Sequence, residues 1–391
     1  MRELFLYVCH VCGNSDPRYL GYKNGRAYCR KCITFQGEKA KPRRFRVNKP
    51  VLDLAYELTE EQKEISDKVI QAYINRRDSL IYAVCGAGKT ELVFGVILLA
   101  LQRNDQVGFC LPRREVAKEL CERLKTAFPN TQVTLVYGGE TEKLDGEIIV
   151  LTSHQLFRYE KYFDLLIFDE IDAFPYKGND VLQTFFKRAL RGQKVIMTAT
   201  PSEELLTEFR RGNKNILELR TRFHKHQIPV PQIKLFPHKF ALFYVIKKLV
   251  DYKKEGKGAF IFCPTIDIAE EFYSKLRLVK KDGEVIHSKK ENREEILRKF
   301  KNKELSYLVT TSILERGVTF PNLQVIIIES DQEEIFDKET LIQISGRVGR
   351  KKDYPDGDVL FLAEKVTPSM KGAIDEIESS NRFLQDMFLP N

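Results

Sequence analysis

Short apolar runs punctuate the chain from residue 80 onward, with polar, helix-compatible stretches between them. In the first half they fall at residues 80–84, 107–111, 133–136, 148–151, 165–168 and 195–197. In the second half they fall at 259–263, 284–287, 307–310, 325–329 and 359–362. Most are continuous Val, Ile, Leu and Phe runs with no polar alternation. That pattern suits strands buried on both faces, as in a parallel sheet covered by helices. The chain is therefore expected to be α/β, with one sheet-and-helix domain over 51–212 and a second over 237–391. The segment 213–236 contains Pro229 and Pro231 and sustains no period, so it reads as the junction. Thr59-Glu60-Glu61-Gln62 is a helix-start signature, with Thr59 as N-cap and Gln62 at the capping-box position. A closing helix is expected over 368–387.

The first fifty residues are of another kind. They hold two Cys-x-x-Cys pairs, Cys9-His10-Val11-Cys12 and Cys29-Arg30-Lys31-Cys32. Four thiolates at that spacing are the pattern of a closed tetrahedral Zn²⁺ site, with no open position for catalysis. A module this small needs such a staple to fold. Disulfides are the alternative reading, and His10 a minor alternative ligand. Residues 1–50 also carry twelve Lys and Arg against three acids, whereas the rest of the chain balances at 52 against 52. All the net charge of +9 thus belongs to the small module, which suggests a polyanion as partner. A solvated basic face is the plainer alternative.

Composition narrows the class further. At 391 residues, 43% hydrophobic and 11% aromatic, the chain can bury substantial cores, which excludes a disordered protein. The longest apolar stretch, 92–101, is too short for the roughly 20 residues of a bilayer span. The opening residues show no secretory pattern, so a cytosolic protein with reduced thiols is expected. Cys110, Cys121 and Cys263 sit in apolar contexts as core fillers, and Cys85 lies inside a glycine-rich loop.

That loop, Ala83-Val84-Cys85-Gly86-Ala87-Gly88-Lys89-Thr90, follows an apolar run and opens a helical pattern. Glycines there let backbone N–H groups face phosphate, and the following helix start favours its charge. Gly86, Ala87 and Gly88 would cradle ATP, Lys89 would reach the β- and γ-phosphates, and Thr90 would ligate Mg²⁺. Some eighty residues later comes Asp169-Glu170-Ile171-Asp172. Asp169 is the expected Mg²⁺ partner, and Glu170 the residue that orients the attacking water. Near the end, Gln343-Ile344-Ser345-Gly346-Arg347-Val348-Gly349-Arg350 offers two arginines spaced so that one helical face presents both. Their guanidinium forks suit the charge that grows in phosphoryl transfer, with surface ion pairing as the alternative. Gln62 is either an adenine-edge contact or simply the helix cap.

Together these residues resemble the superfamily 2 helicases over about residues 51–365. The intermediate motifs agree: Leu111-Pro112-Arg113-Arg114, Tyr137-Gly138-Gly139, Leu151-Thr152-Ser153-His154 and Thr198-Ala199-Thr200, then Phe262-Cys263-Pro264-Thr265, His287-Ser288 and Thr310-Thr311-Ser312 running on to Arg316-Gly317-Val318. The resemblance implies two tandem RecA-like domains that clasp ATP and hold single strand across their tops. By the same resemblance Arg113, Thr152, Ser288 and Thr311 approach nucleic-acid phosphates. Thr198 and Thr200 connect the nucleotide to the strand. Thr319 stands where the family often carries an Asp, and Phe45 lies seventeen residues before Gln62, a spacing at which one branch stacks adenine.

A basic zinc-ribbon module fused ahead of a compact motor resembles the late competence ATPases of Gram-positive bacteria along essentially the whole chain. That resemblance implies a cytosolic ATPase at the inner membrane face that draws transforming single-stranded DNA inward. Its implied partners are a phosphoribosyltransferase-like competence protein, the membrane DNA channel and a recombination mediator. The compact spacing between motifs leaves no room for a strand-splitting hairpin, so weak duplex unwinding is expected. A replication-restart helicase, an RNA helicase and a non-stepping ATP-switched scaffold are the competing readings.

Overall fold

The computed structural model describes residues 7–41, 49–54, 56–84, 86–139, 143–173, 175–212, 214–219, 221–222, 224–314 and 320–386. Cys85, Phe45 and the motif residues 315–319, including Thr319, lie outside them. The chain divides into two compact units. The first comprises residues up to Ala83 and Gly88–Leu219, the second Val84–Ala87 and Arg220 onward.

The first unit begins with a two-stranded antiparallel hairpin, β1 (Leu20–Lys23) and β2 (Arg26–Cys29). Helix α1 (Glu60–Ile74) follows. Its Thr59 accepts from the Gln62 N–H while the Gln62 side chain accepts from the Thr59 N–H, the reciprocal cap that the sequence announced. Seven strands then build one parallel sheet: β3 (Ser79–Ala83), β4 (Val107–Leu111), β5 (Val133–Val136), β6 (Ile148–Thr152), β7 (Phe163–Asp169), β8 (Leu190–Thr198) and β9 (Asn215–Leu219). Their spatial order is β5-β6-β4-β7-β8-β3-β9. Helices α2 (Lys89–Leu92), α3 (Phe94–Gln102), α4 (Arg114–Ala127), α5 (Asp180–Ala189) and α6 (Glu203–Arg211) occupy the crossovers.

The second unit has a six-stranded parallel sheet: β10 (Gln232–Leu235), β11 (Gly258–Phe262), β12 (Gly283–Ile286), β13 (Tyr307–Thr310), β14 (Leu323–Ile327) and β15 (Val359–Ala363), ordered β10-β15-β14-β11-β13-β12. Its helices are α7 (Ala241–Lys254), α8 (Ile266–Arg277), α9 (Arg293–Lys301), α10 (Lys338–Ser345) and α11 (Pro368–Asp386). The unbroken apolar runs are explained by β11. Phe260 and Phe262 enter the core on one face of the sheet, while Ala259, Ile261 and Cys263 enter the core on the other. With both faces covered, no position on such a strand can be polar without cost.

The segment read as a bare junction carries two strands, β9 and β10. Each is an edge strand, one in either sheet. Edge strands bury only part of their surface, and both keep exposed positions that weaken the apolar signal. Cys110, Cys121 and Cys263 are fully buried, as their contexts implied. Among the described residues no helix is long and apolar enough to cross a membrane.

Candidate nucleotide and nucleic-acid site

The order of the first sheet sorts the motifs into two groups. The glycine-rich loop follows β3, the Asp169-Glu170 segment ends β7, and Thr198-Ala199-Thr200 ends β8; these strands are neighbours, with β8 bonded to both others. The C-terminal ends of β3 and β7 therefore stand about 10 Å apart, two strand spacings. Tyr137-Gly138-Gly139 follows β5, Thr152 closes β6 and Arg113 follows β4, three strands that are again neighbours. Ligands of open parallel sheets bind at the carboxyl ends of the strands. The motifs expected to serve the nucleotide thus lie on one side of that edge, and those expected to serve a strand on the other.

In the glycine-rich loop, Gly86 and Gly88 have φ of 85° and 75°, left-handed values that suit glycine. Lys89 and Thr90 open α2, half-buried. A Cβ on Gly88 would lie 2.7 Å from the Gln62 side-chain nitrogen. Of the two readings of Gln62, the helix cap is the one the structure shows. Its oxygen closes the cap while its nitrogen lies against the phosphate loop, and the residue is only 3% exposed. Glu91, buried one turn into the helix, pairs with Arg123 of α4 and so ties the loop helix to its neighbour.

The acidic segment is fixed tightly. The Glu170 N–H donates to Asp169 Oδ1 at 2.9 Å and to the Met197 carbonyl at 3.1 Å. Glu170 has φ of 58°, a left-handed conformation that costs a non-glycine residue about 1 kcal/mol or more. Asp172 accepts from both threonines of the next motif, Thr198 at 2.7 Å and Thr200 at 2.8 Å, one hydroxyl on each carboxylate oxygen. The Thr200 N–H bonds Thr198 Oγ1 at 3.0 Å, which closes the network. The sequence indicated the threonines but not their acceptor.

On the strand side, Arg113 is the half-buried residue at the start of α4, and Arg114 lies 4.3 Å from the centroid of the Tyr137 ring. Thr152 and Ser153 are buried, and the exposed side chain of that segment is His154. In the second unit the corresponding motifs again share neighbouring strands. Cys263-Pro264-Thr265 follows β11, Ser288 lies just beyond β12 and is exposed, and Thr311 follows β13 half-buried.

The arginine motif departs from expectation. Helix α10 ends at Ser345, so Arg347 and Arg350 lie on the turn beyond it and not on one helical face. Gly346 caps the helix, and Gly349 lies on the turn beyond it. Gly349 has φ of 70°, and a Cβ there would meet the Pro355 carbonyl oxygen at 2.0 Å. A fully buried guanidinium, Arg222, holds the turn by donating to the carbonyls of Val348 at 3.0 Å, Gly349 at 2.7 Å and Gly346 at 3.4 Å. His224 bonds the same Gly349 carbonyl at 3.0 Å, and Arg350 Nε donates to Gly346 at 2.8 Å. Burial, with the Arg222 charge next, holds the His224 imidazole below its usual range.

Residues 63–208 match the DEAD/DEAH box helicase family, and residues 241–352 match the helicase conserved C-terminal domain. Two relatives align nearly end to end. The competence protein ComFA of Bacillus subtilis (strain 168) is 32% identical over 96% of this chain and 86% of its own length. That of Streptococcus pneumoniae (strain ATCC BAA-255 / R6) is 33% identical over 96% and 90%. The chain belongs to the ComFA family. In fold it is also similar to S. cerevisiae Dbp5 bound to RNA and ADP BeF3, at a TM-score of 0.61 and 18% identity, covering 85% of this chain and 98% of that one. The two parallel sheets of this ComFA-family chain are accordingly RecA-like helicase domains in tandem.

The four cysteines ahead of them converge. All four Sγ atoms lie within 4.8 Å of one another and are buried, with Cys9–Cys32 at 3.6 Å and Cys12–Cys29 at 3.7 Å. Tetrahedral Zn–S bonds of about 2.3 Å put sulfurs about 3.8 Å apart, whereas a disulfide needs about 2.05 Å. The donor set fits zinc and not two disulfides. Burial pushes the Cys12 thiol up to about 11, so a bound cation would have to displace its proton. His10 is exposed and is not part of the cluster.

The module does not stand apart in this ComFA-family chain. Its core is continuous with the first sheet domain. Phe35 packs edge-on against Phe157 and Phe185 and lies parallel to the His154 ring at 6.1 Å. Arg188 of α5 donates to the His10 and Val11 carbonyls of the first cysteine knuckle and pairs with Glu160. Lys31 pairs with Asp180 at 3.2 Å. Neither Phe35 nor Arg188 gave a sequence signal, because a lone aromatic or arginine carries no spacing.

Proposed function

We propose that this protein is a single-stranded-DNA-stimulated ATPase that steps along its strand and draws transforming DNA into the cytosol. The observation that carries this reading is the sorting of motifs along one sheet edge, with nucleotide residues after β3, β7 and β8 and strand residues after β4, β6 and β5. The family membership supplies the competence setting.

In this reading Gly86, Ala87, Gly88 and Lys89 bind the triphosphate, and Gln62 reads the adenine edge beside Gly88. Thr90 and Asp169 hold Mg²⁺, which when bound offsets phosphate charge. Glu170, held at its left-handed φ, orients the attacking water. Arg347 and Arg350 supply guanidinium charge to the transferring phosphoryl group. Asp172, beyond the end of β7, senses the outcome through Thr198 and Thr200 at the end of the neighbouring β8. Arg113 and Thr152 in the first unit, and Ser288 and Thr311 in the second, each hold nucleic-acid phosphate. Cys9, Cys12, Cys29 and Cys32 hold Zn²⁺ as a structural staple. The phosphoribosyltransferase-like competence protein, the membrane DNA channel and a recombination mediator are the partners this setting implies, at the inner face of the membrane.

Displacement of a protein roadblock from one end of a single-stranded oligonucleotide tests stepping. ATP-dependent displacement from one end only is expected. Tight binding and hydrolysis with no displacement would mean an ATP-switched grip and no translocation.

A further inference from the structure

The β1–β2 hairpin carries rings and cations that the fold does not use. Its turn is Asn24-Gly25 with φ of 50° and 74°, the two-residue left-handed turn that fixes hairpin register. That register pairs Gly21 with Tyr28, Tyr22 with Ala27 and Lys23 with Arg26. Side chains alternate across a strand, so Tyr28, Lys23 and Arg26 share one face and Tyr22 lies on the other. A Cβ on Gly21 would come within 2.5 Å of the Tyr28 ring, so the ring lies flat across the glycine backbone. The ring is thereby supported from beneath, and among the described residues no other ring or charge stacks upon it.

The charge around it is one-sided. Residues 17–36 contain five Lys and Arg and no acid. Arg18 and Lys31 are paired, with Asp16 and Asp180. Lys23, Arg26 and Arg30 are exposed and have no ion-pair partner among the described residues. Tyr28 and Arg26 are two residues apart on one strand, about 7 Å. A supported, half-exposed ring bordered by unpaired cations is the arrangement that holds a single strand, with bases stacking on the ring and phosphates meeting the cations. The module is also seated on the segment that follows Thr152, through Phe35 and His154, so the hairpin belongs to the same compact unit as the first sheet.

We propose that the Tyr28–Lys23–Arg26 face of the hairpin is a base-stacking site for single-stranded DNA, an entry grip ahead of the helicase motifs. The proposal rests on the reading above that the chain works on single strand. It assigns the grip to one face only, so Tyr22, although 70% exposed, takes no part.

The test is equilibrium binding of the full, zinc-loaded chain to an oligo-dT probe and to vesicles of anionic phospholipid, across salt. Tyr28→Ala is expected to weaken oligo-dT binding about tenfold, the worth of one stacked base. Tyr28→Phe should stay within about twofold of wild type, and Tyr22→Ala should match it. Lys23→Ala with Arg26→Ala should flatten the log–log salt slope by about 1.4, two phosphate contacts on a single strand. Zinc content and Tm of each variant check the module's fold, and the salt slope of the tip variant does not depend on Tyr28. Unchanged affinity in a folded Tyr28→Ala protein overturns the proposal. So does an equal loss in Tyr28→Phe, or a loss confined to the vesicles. A wild-type ATPase indifferent to single strand would instead overturn the underlying reading.

Discussion

The guanidinium of Arg222 donates to the carbonyl oxygen of Gly349 at 2.7 Å, from a side chain only 1% exposed. The same group reaches Val348 and Gly346, so one residue of the inter-sheet segment fixes the turn that carries Arg347 and Arg350. A buried carbonyl left without its donor costs about 1–3 kcal/mol. Arg222→Ala should therefore lower kcat for ATP at least tenfold while moving KM by less than about threefold. Arg222→Lys should recover only part, since a point charge cannot span three carbonyls. Steady-state kinetics with both variants checks this; equal loss in KM would mean that ATP binding, not the arginine turn, was disturbed.

His224 shares that carbonyl and sits beside Arg222, with burial and the neighbouring charge lowering its pKa. The unfolded chain therefore takes up a proton near pH 6.5 that the folded chain resists. Stability from this group is full above that value and is lost as pH falls below it toward the folded pKa. Tm should drop between pH 7.5 and 5.5, and His224→Gln, which keeps a donor but does not titrate, should drop less. Parallel melting curves decide it.

Asp172 holds Thr198 and Thr200 through one oxygen each. If that network carries the state of the nucleotide side to the strand side, Thr200→Val should cut the stimulation of hydrolysis by single strand about threefold to tenfold. The charged acceptor makes the lost bond worth about 1.5–3 kcal/mol. The ratio of stimulated to unstimulated turnover is the measurement, and an unchanged ratio would restrict the network to holding the fold.

Arg188 reads the backbone of the first cysteine knuckle from α5. Groups that orient a metal site from outside typically change affinity 10–100-fold when lost. Arg188→Ala should release zinc to a chelator about tenfold faster and lower the Tm of the first melting transition. A chromogenic zinc assay follows the release. Release at the wild-type rate would make the contact incidental.

The two sheets were legible because buried parallel strands are apolar on both faces. Runs such as residues 107–111 and 307–310 mark β4 and β13 to the residue. Strands β9 and β10 were not, because an edge strand such as Gln232–Leu235 needs no buried face to hold it. The strand-end positions of the glycine-rich loop and the acidic pair, and the convergence of the four cysteines, were legible from spacing alone. The arginine spacing reads as one helical face, whereas Arg347 and Arg350 lie on a turn past α10, of which Gly346 and Gly349 are the visible signs. Arg222, Phe35 and Arg188 were out of reach, since each acts through a contact 122 to 178 residues away in sequence.

Hydrolysis in this protein should depend on single strand. Steady-state ATPase of the intact chain with single-stranded DNA, duplex DNA and RNA at matched salt, beside Lys89→Ala, measures that dependence. The expected result is strong stimulation by single-stranded DNA, little by duplex or RNA, and no turnover above background in Lys89→Ala. Equal turnover with and without single strand, or retained turnover in Lys89→Ala, would contradict it.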